Sequence, residues 1–279
     1  MITVTLNFSG PAPQEPARRL EVLASISGRS LLVSEAERYW QYVLPEVELY
    51  LRELRSVTFV ESGFAWRRDI AGVVAAVLAP DDVQPPANPP SEYRPTLPKP
   101  CIGFLPEEAV LRLAERPRGH LAGVGEEAVV SAKLARFLGD LGGVRLGEVS
   151  YRGQKLASWH RLFLDREVAV LSDASRKRPV PCSLCGVELV NDTGIWVSRS
   201  GLSLPQGVWK DRLGFGHLLN SHPIIVERES AFEIAQIFGT GLAIRPVYSP
   251  DSAQGRLVLR ILEETTRIPS DSNQATPYH

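Results

Sequence analysis

The hydrophobic positions of the first 79 residues alternate between strand-like and helix-like spacing. Residues 2–7 alternate apolar and polar side chains, which predicts a β-strand. Residues 34–55 have helical spacing, and residues 57–60 form a short β-like run. Residues 70–78 are so continuously apolar that their spacing allows either a buried strand or a buried helix.

A proline-rich segment separates this first region from the rest of the chain. Eight of the 22 prolines lie in residues 80–100. Proline removes a backbone donor and forces the preceding residue into extended backbone. We therefore predict an extended connector at 80–100. It would join an N-terminal α+β region at 1–79 to a C-terminal α+β domain at 101–268, with a disordered polar tail at 269–279.

After the connector the spacing changes from helical to strand-like. Helices are predicted at 106–116 and at 126–141, the second ended by Gly142 and Gly143. Polar turns, of which Arg152-Gly153 is one, separate the strands that follow. Strands are predicted at 144–151, 158–164, 168–171 and 195–198.

The C-terminal part of the domain predicts a strand–helix–strand unit. A strand at 223–226 precedes a helix that begins at the N-cap Ser230 and ends at Gly239, and a strand at 242–248 follows. The apolar run at 257–262 predicts one more strand. The fold class is therefore α+β: a mixed or mainly antiparallel sheet with helices packed on one side, in one body or in two lobes.

Composition and charge narrow the class of protein. The chain has 279 residues, 31 basic and 32 acidic side chains and 44% hydrophobic residues, which are typical of a globular protein. A net charge of -1 does not favour nucleic acid as a partner, because such binders neutralise many phosphates. No apolar run approaches the roughly 18 residues of a membrane span, and residues 1–10 lack the pattern of a signal peptide. We therefore expect a cytoplasmic protein that makes no membrane contact.

The one compact chemical motif is the CxxCG formed by Cys182, Cys185 and Gly186. Two thiolates at this spacing can grip one zinc ion from a tight turn, but a structural zinc site has four ligands. Cys101 is the candidate third ligand. Candidates for the fourth ligand are His160, His217 and His222. Two alternatives stay open: a turn of small buried residues that binds no metal, and a redox-active dithiol.

Other catalytic signatures do not occur. The sequence contains no GxSxG, no GxxxxGK[ST] and no HExxH motif. Three cysteines are an odd number, so they cannot form a complete intramolecular disulfide framework, and a reducing compartment fits them best. We therefore predict no catalytic residue and no enzyme activity, and the only cofactor that the residues suggest is a structural zinc ion.

Three features resemble the myxobacterial double-CxxCG family, which includes Sit-type immunity proteins. They are the 181–186 motif PCSLCG, the Leu204-Pro205 segment leading into Trp209–Leu213, and the closing unit from Pro223 to Val247. The resemblance covers roughly residues 180–248. This chain retains only the second CxxCG of the pair after which the family is named.

The resemblance implies an immunity protein that binds a cognate protein toxin in the cytoplasm and neutralises it by stoichiometric occlusion. Such a protein needs anchors on its surface, and the candidates by residue type are Trp196, Trp209 and Arg212, although each could equally belong to the core, so the sequence leaves the partner-binding residues unknown. One alternative is a zinc-ribbon-like nucleic-acid or regulatory binding protein, which the CxxCG and the basic run Arg176–Arg178 would support. The other is a redox or hydrolytic enzyme that uses Cys182 or Cys185.

Overall fold

A computed structural model describes the fold over part of the chain. The described residues are 2–8, 30–31, 54–61, 72–80, 82–84, 87, 105–176, 179–182, 185–190, 192–193, 196–217, 221–239, 241–253, 255–256, 258–259 and 262. Cys101, the polar tail at 269–279 and most of the predicted helix at 34–55 lie outside these residues.

The described residues form an α+β fold that consists mostly of strands. Among the described residues, two helices are unbroken: α1 (Ala132–Leu141) and α2 (Arg228–Phe238). The strands are β1 (Ile2–Phe8), β2 (Ser30–Leu31), β3 (Leu54–Glu61), β4 (Val73–Ala79), β5 (Asp82–Gln84), β6 (Leu111–Leu113), β7 (Leu121–Val124), β8 (Glu127–Ser131), β9 (Val144–Gly147), β10 (Val149–Tyr151), β11 (Gln154–Lys155), β12 (Trp159–Leu164), β13 (Glu167–Val168), β14 (Val180–Pro181), β15 (Glu188–Val190), β16 (Trp196–Val197), β17 (Val208–Asp211), β18 (Gly216–His217), β19 (Ile224–Glu227) and β20 (Ala243–Tyr248).

These strands form five sheets, and the two largest mix parallel with antiparallel pairs. The six-stranded sheet has the order β13-β17-β19-β4-β20-β16, and the five-stranded sheet has the order β5-β7-β8-β12-β9. Three sheets have three strands each, in the orders β2-β1-β3, β11-β10-β6 and β14-β15-β18. The predicted mixed sheet is thus confirmed.

The N-terminal sheet confirms two predicted strands and corrects one helix boundary. β1 and β3 pair antiparallel along their whole length and contain the strands predicted at 2–7 and 57–60. The helix predicted at 34–55 cannot extend to Arg55, because Leu54 already pairs with Phe8 in the ladder.

β4 is a strand rather than a helix, and burial on both faces explains its unbroken apolar sequence. Ala76 and Leu78 pack into the cluster that contains both helices, whereas Ala75 and Val77 face a second cluster on the opposite side. A strand covered on both faces has no solvent side that would need polar residues. The spacing alone could not separate this case from a buried helix.

The pairing of β4 also bears on the boundary predicted at residue 80. β4 lies between β19 and β20 and pairs antiparallel with both. Residues 73–79 therefore share a sheet with the C-terminal strands β19 and β20 rather than with β1, β2 and β3, which also belong to the region predicted at 1–79. Part of the predicted connector is paired as well, because β5 runs parallel to β7 and the Ala87 N–H donates to the carbonyl oxygen of Arg112 (2.9 Å).

The first helix predicted after the connector is wrong. Residues 105–110 form turns and irregular backbone, and β6 follows at 111–113. Arg161 accounts for the difference, because its guanidinium donates to the carbonyl oxygens of Leu105, Pro106 and Ala109 at 2.7–3.2 Å. These bonds hold residues 105–109 as a loop against β12, in which the Pro106 carbonyl oxygen also accepts from the Ala109 N–H (3.0 Å) to form a single turn.

The helix predicted at 126–141 is confirmed only in its second part. The first residues form β8, and α1 begins after the N-cap Ser131, whose hydroxyl accepts from the Leu134 N–H (3.3 Å). The helix ends at Gly142, as predicted. Leu134 and Leu138 are buried in the main core.

The C-terminal strand–helix–strand unit is confirmed, with a different cap. α2 begins at Arg228 because Glu227 is its N-cap, and the Glu227 carboxylate accepts from the backbone of Glu229 (2.5 Å) and Ser230 (2.8 Å). Ser230 is therefore inside the helix. The strand predicted at 257–262 is wrong: the described residues from 253 to 262 are helical, and Val258 and Leu262, four positions apart, are both buried.

Within the described ranges, neither helix is long and apolar enough to cross a membrane.

Candidate functional site

The cysteine motif lies in the hairpin between β14 and β15. The Cys182 N–H donates to the Val187 carbonyl oxygen, and the Gly186 N–H donates to the Cys182 carbonyl oxygen, both at 2.8 Å. Gly186 has a φ of 72°, a conformation that favours glycine and that closes this turn. Cys182 and Cys185 are half-buried at the tip. The two hydrogen bonds thus link both ends of the Cys182–Gly186 turn.

The other predicted ligands do not complete a site in the described part of the chain. His160 lies on β12 in a different sheet, and the His222 Nδ1 is 2.9 Å from the Asp211 carbonyl oxygen. Burial lowers the pKa of His222. His217 pairs with Leu189 through its backbone, in the same small sheet as the motif, but its side chain lies outside the described residues.

Consequently, among the described residues no group of three or more His, Cys, Asp or Glu side chains could hold a metal ion. Cys182 and Cys185 would supply two of the four ligands that a structural zinc site uses. Zinc binding therefore stays a prediction.

The three surface anchors predicted by residue type have different surroundings. Trp196 is only 3% exposed and packs edge-on against Phe215, with 5.4 Å between ring centroids, so it belongs to the core. Trp209 is half-buried on β17, and its Nε1–H donates to the Pro205 carbonyl oxygen (3.2 Å). Arg212 is exposed and pairs with Glu167 (3.2 Å). Of the three, Trp209 and Arg212 are placed where a partner could touch them.

Arg166, which the sequence pattern did not indicate, completes a surface cluster around Trp209. It directly precedes the edge strand β13, and its carbonyl oxygen accepts from the Lys210 N–H (2.7 Å). Its guanidinium Cζ lies 5.5 Å from the centre of the Trp209 ring. An arginine at this distance over an indole face makes a favourable cation–π contact.

Glycines leave the space in which the Arg166 side chain lies. A Cβ at Gly143 would be 2.8 Å from Cδ of Arg166 and 2.5 Å from the Val208 carbonyl oxygen, and one at Gly207 would be 2.7 Å from Nη1 of Arg166. Side chains at these positions would therefore displace Arg166 from Trp209. Gly143 and Gly207 therefore leave the room that the Arg166 side chain occupies beside Trp209.

Charged side chains flank the pair. The Glu167 carboxylate lies 3.2 Å from both the Lys210 ammonium and the Arg212 guanidinium. Hydrogen bonding to Lys210 is the main reason why the pKa of Glu167 lies below its usual value. We name Arg166, Glu167, Trp209, Lys210 and Arg212 the edge surface, because they line the β13 edge of the six-stranded sheet.

Two buried charged groups that the sequence pattern also did not indicate have structural contacts. Arg161 and Glu127 form a bidentate ion pair at 2.9 Å, with exposures of 1% and 5%. The buried Asp211 carboxylate accepts from the backbone N–H groups of Val170, Leu171 and Leu213, and burial raises its pKa. Apart from Leu213, which is two positions from Asp211, the partners of these groups are distant in sequence, so local sequence patterns do not indicate them.

No protein-family model matches the sequence, and no curated protein is significantly similar to it.

Proposed function

We propose that this protein is an immunity protein that neutralises a cognate bacterial toxin by binding it in a stoichiometric complex in the cytoplasm. Two things support the proposal: the sequence resemblance over residues 180–248, and the pair formed by Arg166 and Trp209 at the β13 edge. The second is the structural observation on which the proposal depends. Neutralisation by occlusion requires a contact surface and no catalytic group.

The Arg166–Trp209 pair has the chemistry of a binding hot spot. Tryptophan and arginine are enriched among the residues that dominate protein–protein affinity. Arg166 is exposed, yet its side chain already lies between Gly143, Gly207 and the indole ring. A partner would therefore not have to order this side chain on binding, and the entropic cost of association would be smaller.

The rest of the edge surface suits the rim of such a contact. Interfaces commonly surround a central anchor with polar groups that remain partly solvated. Lys210, Arg212 and Glu167 provide both signs of charge beside Trp209. A toxin that binds here would place an apolar or aromatic group against the indole and polar groups around it.

The test begins with the product of the neighbouring reading frame, expressed with and without this protein. Immunity predicts that the product alone stops host growth, that this protein restores growth, and that the two co-elute at a fixed ratio on a sizing column. A toxic product that this protein neither binds nor neutralises, or a product without toxicity, would contradict immunity for this gene pair.

Variants of the edge surface then locate the contact. Trp209→Ala should weaken the complex by about thirtyfold, which corresponds to a hot-spot loss of about 2 kcal/mol. Arg166→Glu should weaken it by at least about tenfold and should leave the fold intact, since Arg166 is exposed. Arg136→Glu, an equal charge change at an exposed position of α1, is the matched control and should leave affinity unchanged. Equal effects of Arg136→Glu and Arg166→Glu would exclude the edge surface as the contact.

The second candidate is a zinc-ribbon-like nucleic-acid or regulatory binding protein, and the turn at Cys182–Gly186 favours it. The hydrogen bonds at Cys182 and Gly186 close the turn around the two thiols. Its test is the zinc content of the purified protein beside that of Cys182→Ser and Cys185→Ser variants, together with nucleic-acid binding at several salt concentrations. This candidate would be favoured over immunity by two results together. The wild type would contain stoichiometric zinc that each substitution abolishes, and its binding to nucleic acid would weaken with added salt.

A further inference from the structure

In the hairpin formed by β10 and β11, two arginine guanidinium groups lie over the ring of Tyr151. Tyr151 is the last residue of β10 and is half-buried. The Arg152 Cζ lies 5.1 Å and the Arg116 Cζ lies 5.6 Å from the centre of the Tyr151 ring. Both arginines are exposed. We name these three residues the hairpin cluster.

The backbone at Arg152 is unusual. It has a φ of 51°, and among the described residues it is the only non-glycine residue with positive φ. Together with Gly153 (φ 76°) it forms the two-residue turn that joins Tyr151 to its partner Gln154. Asparagine or glycine adopts this turn position more readily than arginine does. A side chain kept at an unfavourable backbone position is a reason to look for a function.

The two guanidinium groups are not neutralised by neighbouring acids in the described structure. Within that part of the chain, neither Arg116 nor Arg152 has a carboxylate within salt-bridge distance, whereas Glu148 on the same hairpin pairs with Lys155. Two like charges over one ring repel each other, and a bound anion would relieve that repulsion. Guanidinium groups bind carboxylates and phosphates through paired hydrogen bonds.

We propose that the hairpin cluster is a docking site for an acidic segment of a protein partner, in which carboxylates bind the guanidinium groups of Arg116 and Arg152. A polypeptide fits better than a nucleic acid for two reasons. Guanidinium groups already lie over the Tyr151 ring on which a base would stack. Two cations on a chain of net charge -1 match a short acidic segment better than a long row of phosphates.

This inference is independent of the proposed toxin and of the edge surface. Tyr151 lies in the three-stranded sheet β11-β10-β6, whereas Trp209 lies in the six-stranded sheet. Its test therefore needs no toxin and can succeed or fail without deciding the immunity proposal.

The test measures binding of short fluorescent peptides to the full chain by fluorescence anisotropy. The probe is a glutamate-rich peptide, and the comparison ligands are a glutamine peptide of equal length, a single-stranded oligonucleotide and inorganic phosphate as competitor. The glutamate peptide should bind, the glutamine peptide should not, and added salt should weaken the binding. The double substitution Arg116→Glu with Arg152→Glu should weaken it by at least about tenfold, and Arg136→Glu should not.

Arg152→Asn separates docking from a purely structural role. Asparagine relieves the backbone strain, so this variant should unfold at a higher temperature than the wild type while it binds the glutamate peptide more weakly. A lower unfolding temperature with unchanged affinity would overturn the proposal, because Arg152 would then serve the hairpin alone. No binding of the glutamate peptide, equal weakening by Arg136→Glu, or tighter binding of the oligonucleotide or of phosphate would also overturn it.

Discussion

Arg161 and Arg166 lie five positions apart, one within β12 and one just after it, and they are used in opposite ways. Arg161 is buried, and its guanidinium donates to the Glu127 carboxylate and to the carbonyl oxygens of four residues in the 105–109 loop. Arg166 is exposed, lies over Trp209, and has no carboxylate partner among the described residues. The Arg161 guanidinium therefore links β12 to β8 and to the 105–109 loop, whereas the Arg166 guanidinium is accessible to solvent. Partner count and burial, not residue type, distinguish a structural arginine from a candidate binding arginine.

Substitution of the buried arginine should have the largest effect on stability. Arg161→Met should lower the free energy of unfolding by about 3–5 kcal/mol, because Glu127 would remain buried without its partner and the loop carbonyls would lose their donors. Urea unfolding measures the loss. The matched control is Arg145→Met on the adjacent strand β9, since Arg145 pairs with Glu107 and Asp165 in solvent. Exposed pairs contribute little, so this variant should stay near the wild type. Equal losses for the two variants would refute the distinction.

Substitution of a glycine beside Arg166 should lower the free energy of unfolding by a smaller amount. Gly143→Ala should destabilise the protein by about 1–3 kcal/mol, because Gly143 has a φ of 89° and a Cβ there would collide with Val208 and Arg166. Gly153→Ala isolates the backbone contribution, since Gly153 has a φ of 76° and a methyl group added there would have no neighbour within 4 Å. It should cost only about 1 kcal/mol. Equal costs for the two substitutions would show that the close approach of Val208 and Arg166 to Gly143 adds nothing to the backbone cost.

The smallest expected effect is the pH dependence that His120 contributes. Its Nδ1 lies 2.9 Å from the Ser131 hydroxyl, and burial, with a smaller effect of Lys133, lowers its pKa from 6.5. The unfolded chain then binds the proton more readily, so the stabilisation from neutral His120 is present above pH 6.5 and is lost as the pH falls toward the folded-state pKa.

The measurement for His120 is the unfolding free energy of the wild type and of His120→Gln over this pH range. The wild type should lose more stability on acidification than the variant does. Parallel curves would show that the proton uptake belongs to other groups, of which His222 is the first to consider because its pKa is also lowered.

The spacing of apolar residues and the positions of glycines along the sequence predicted those elements whose limits depend on neighbouring residues. Alternation located β1 and β12, short β-like runs located β3 and the strands around α2, and glycine ended both helices where expected. The start of α1 was missed although Ser131 carries a recognisable N-cap signal, because the apolar spacing continues across it into β8. The start of α2 was missed for another reason: glutamate is a less common N-cap than serine, and Ser230 was available three positions later.

The candidate surfaces could be predicted only in part. Trp209 and Arg212 were identified by residue type, but the same criterion selected Trp196, which is buried. Whether an aromatic side chain faces the core depends on which strands cover it, and that is a non-local property. Arg166 has no sequence signal at all, since its importance comes from Gly143, Gly207 and Trp209, which only the fold brings together.

The central place of β4 has a consequence for biosynthesis. Leu78 pairs with Ile224 and Ile244, so the middle strand of the largest sheet is made long before either of its neighbours exists. At typical synthesis rates of about 5–20 residues per second, the strand would wait roughly 7–30 s for its first partner. During that interval an unpaired, wholly apolar strand is exposed to other chains. The nascent protein should therefore depend on chaperones until β19 and β20 have been translated, and truncation before β19 should produce aggregates rather than a smaller folded domain.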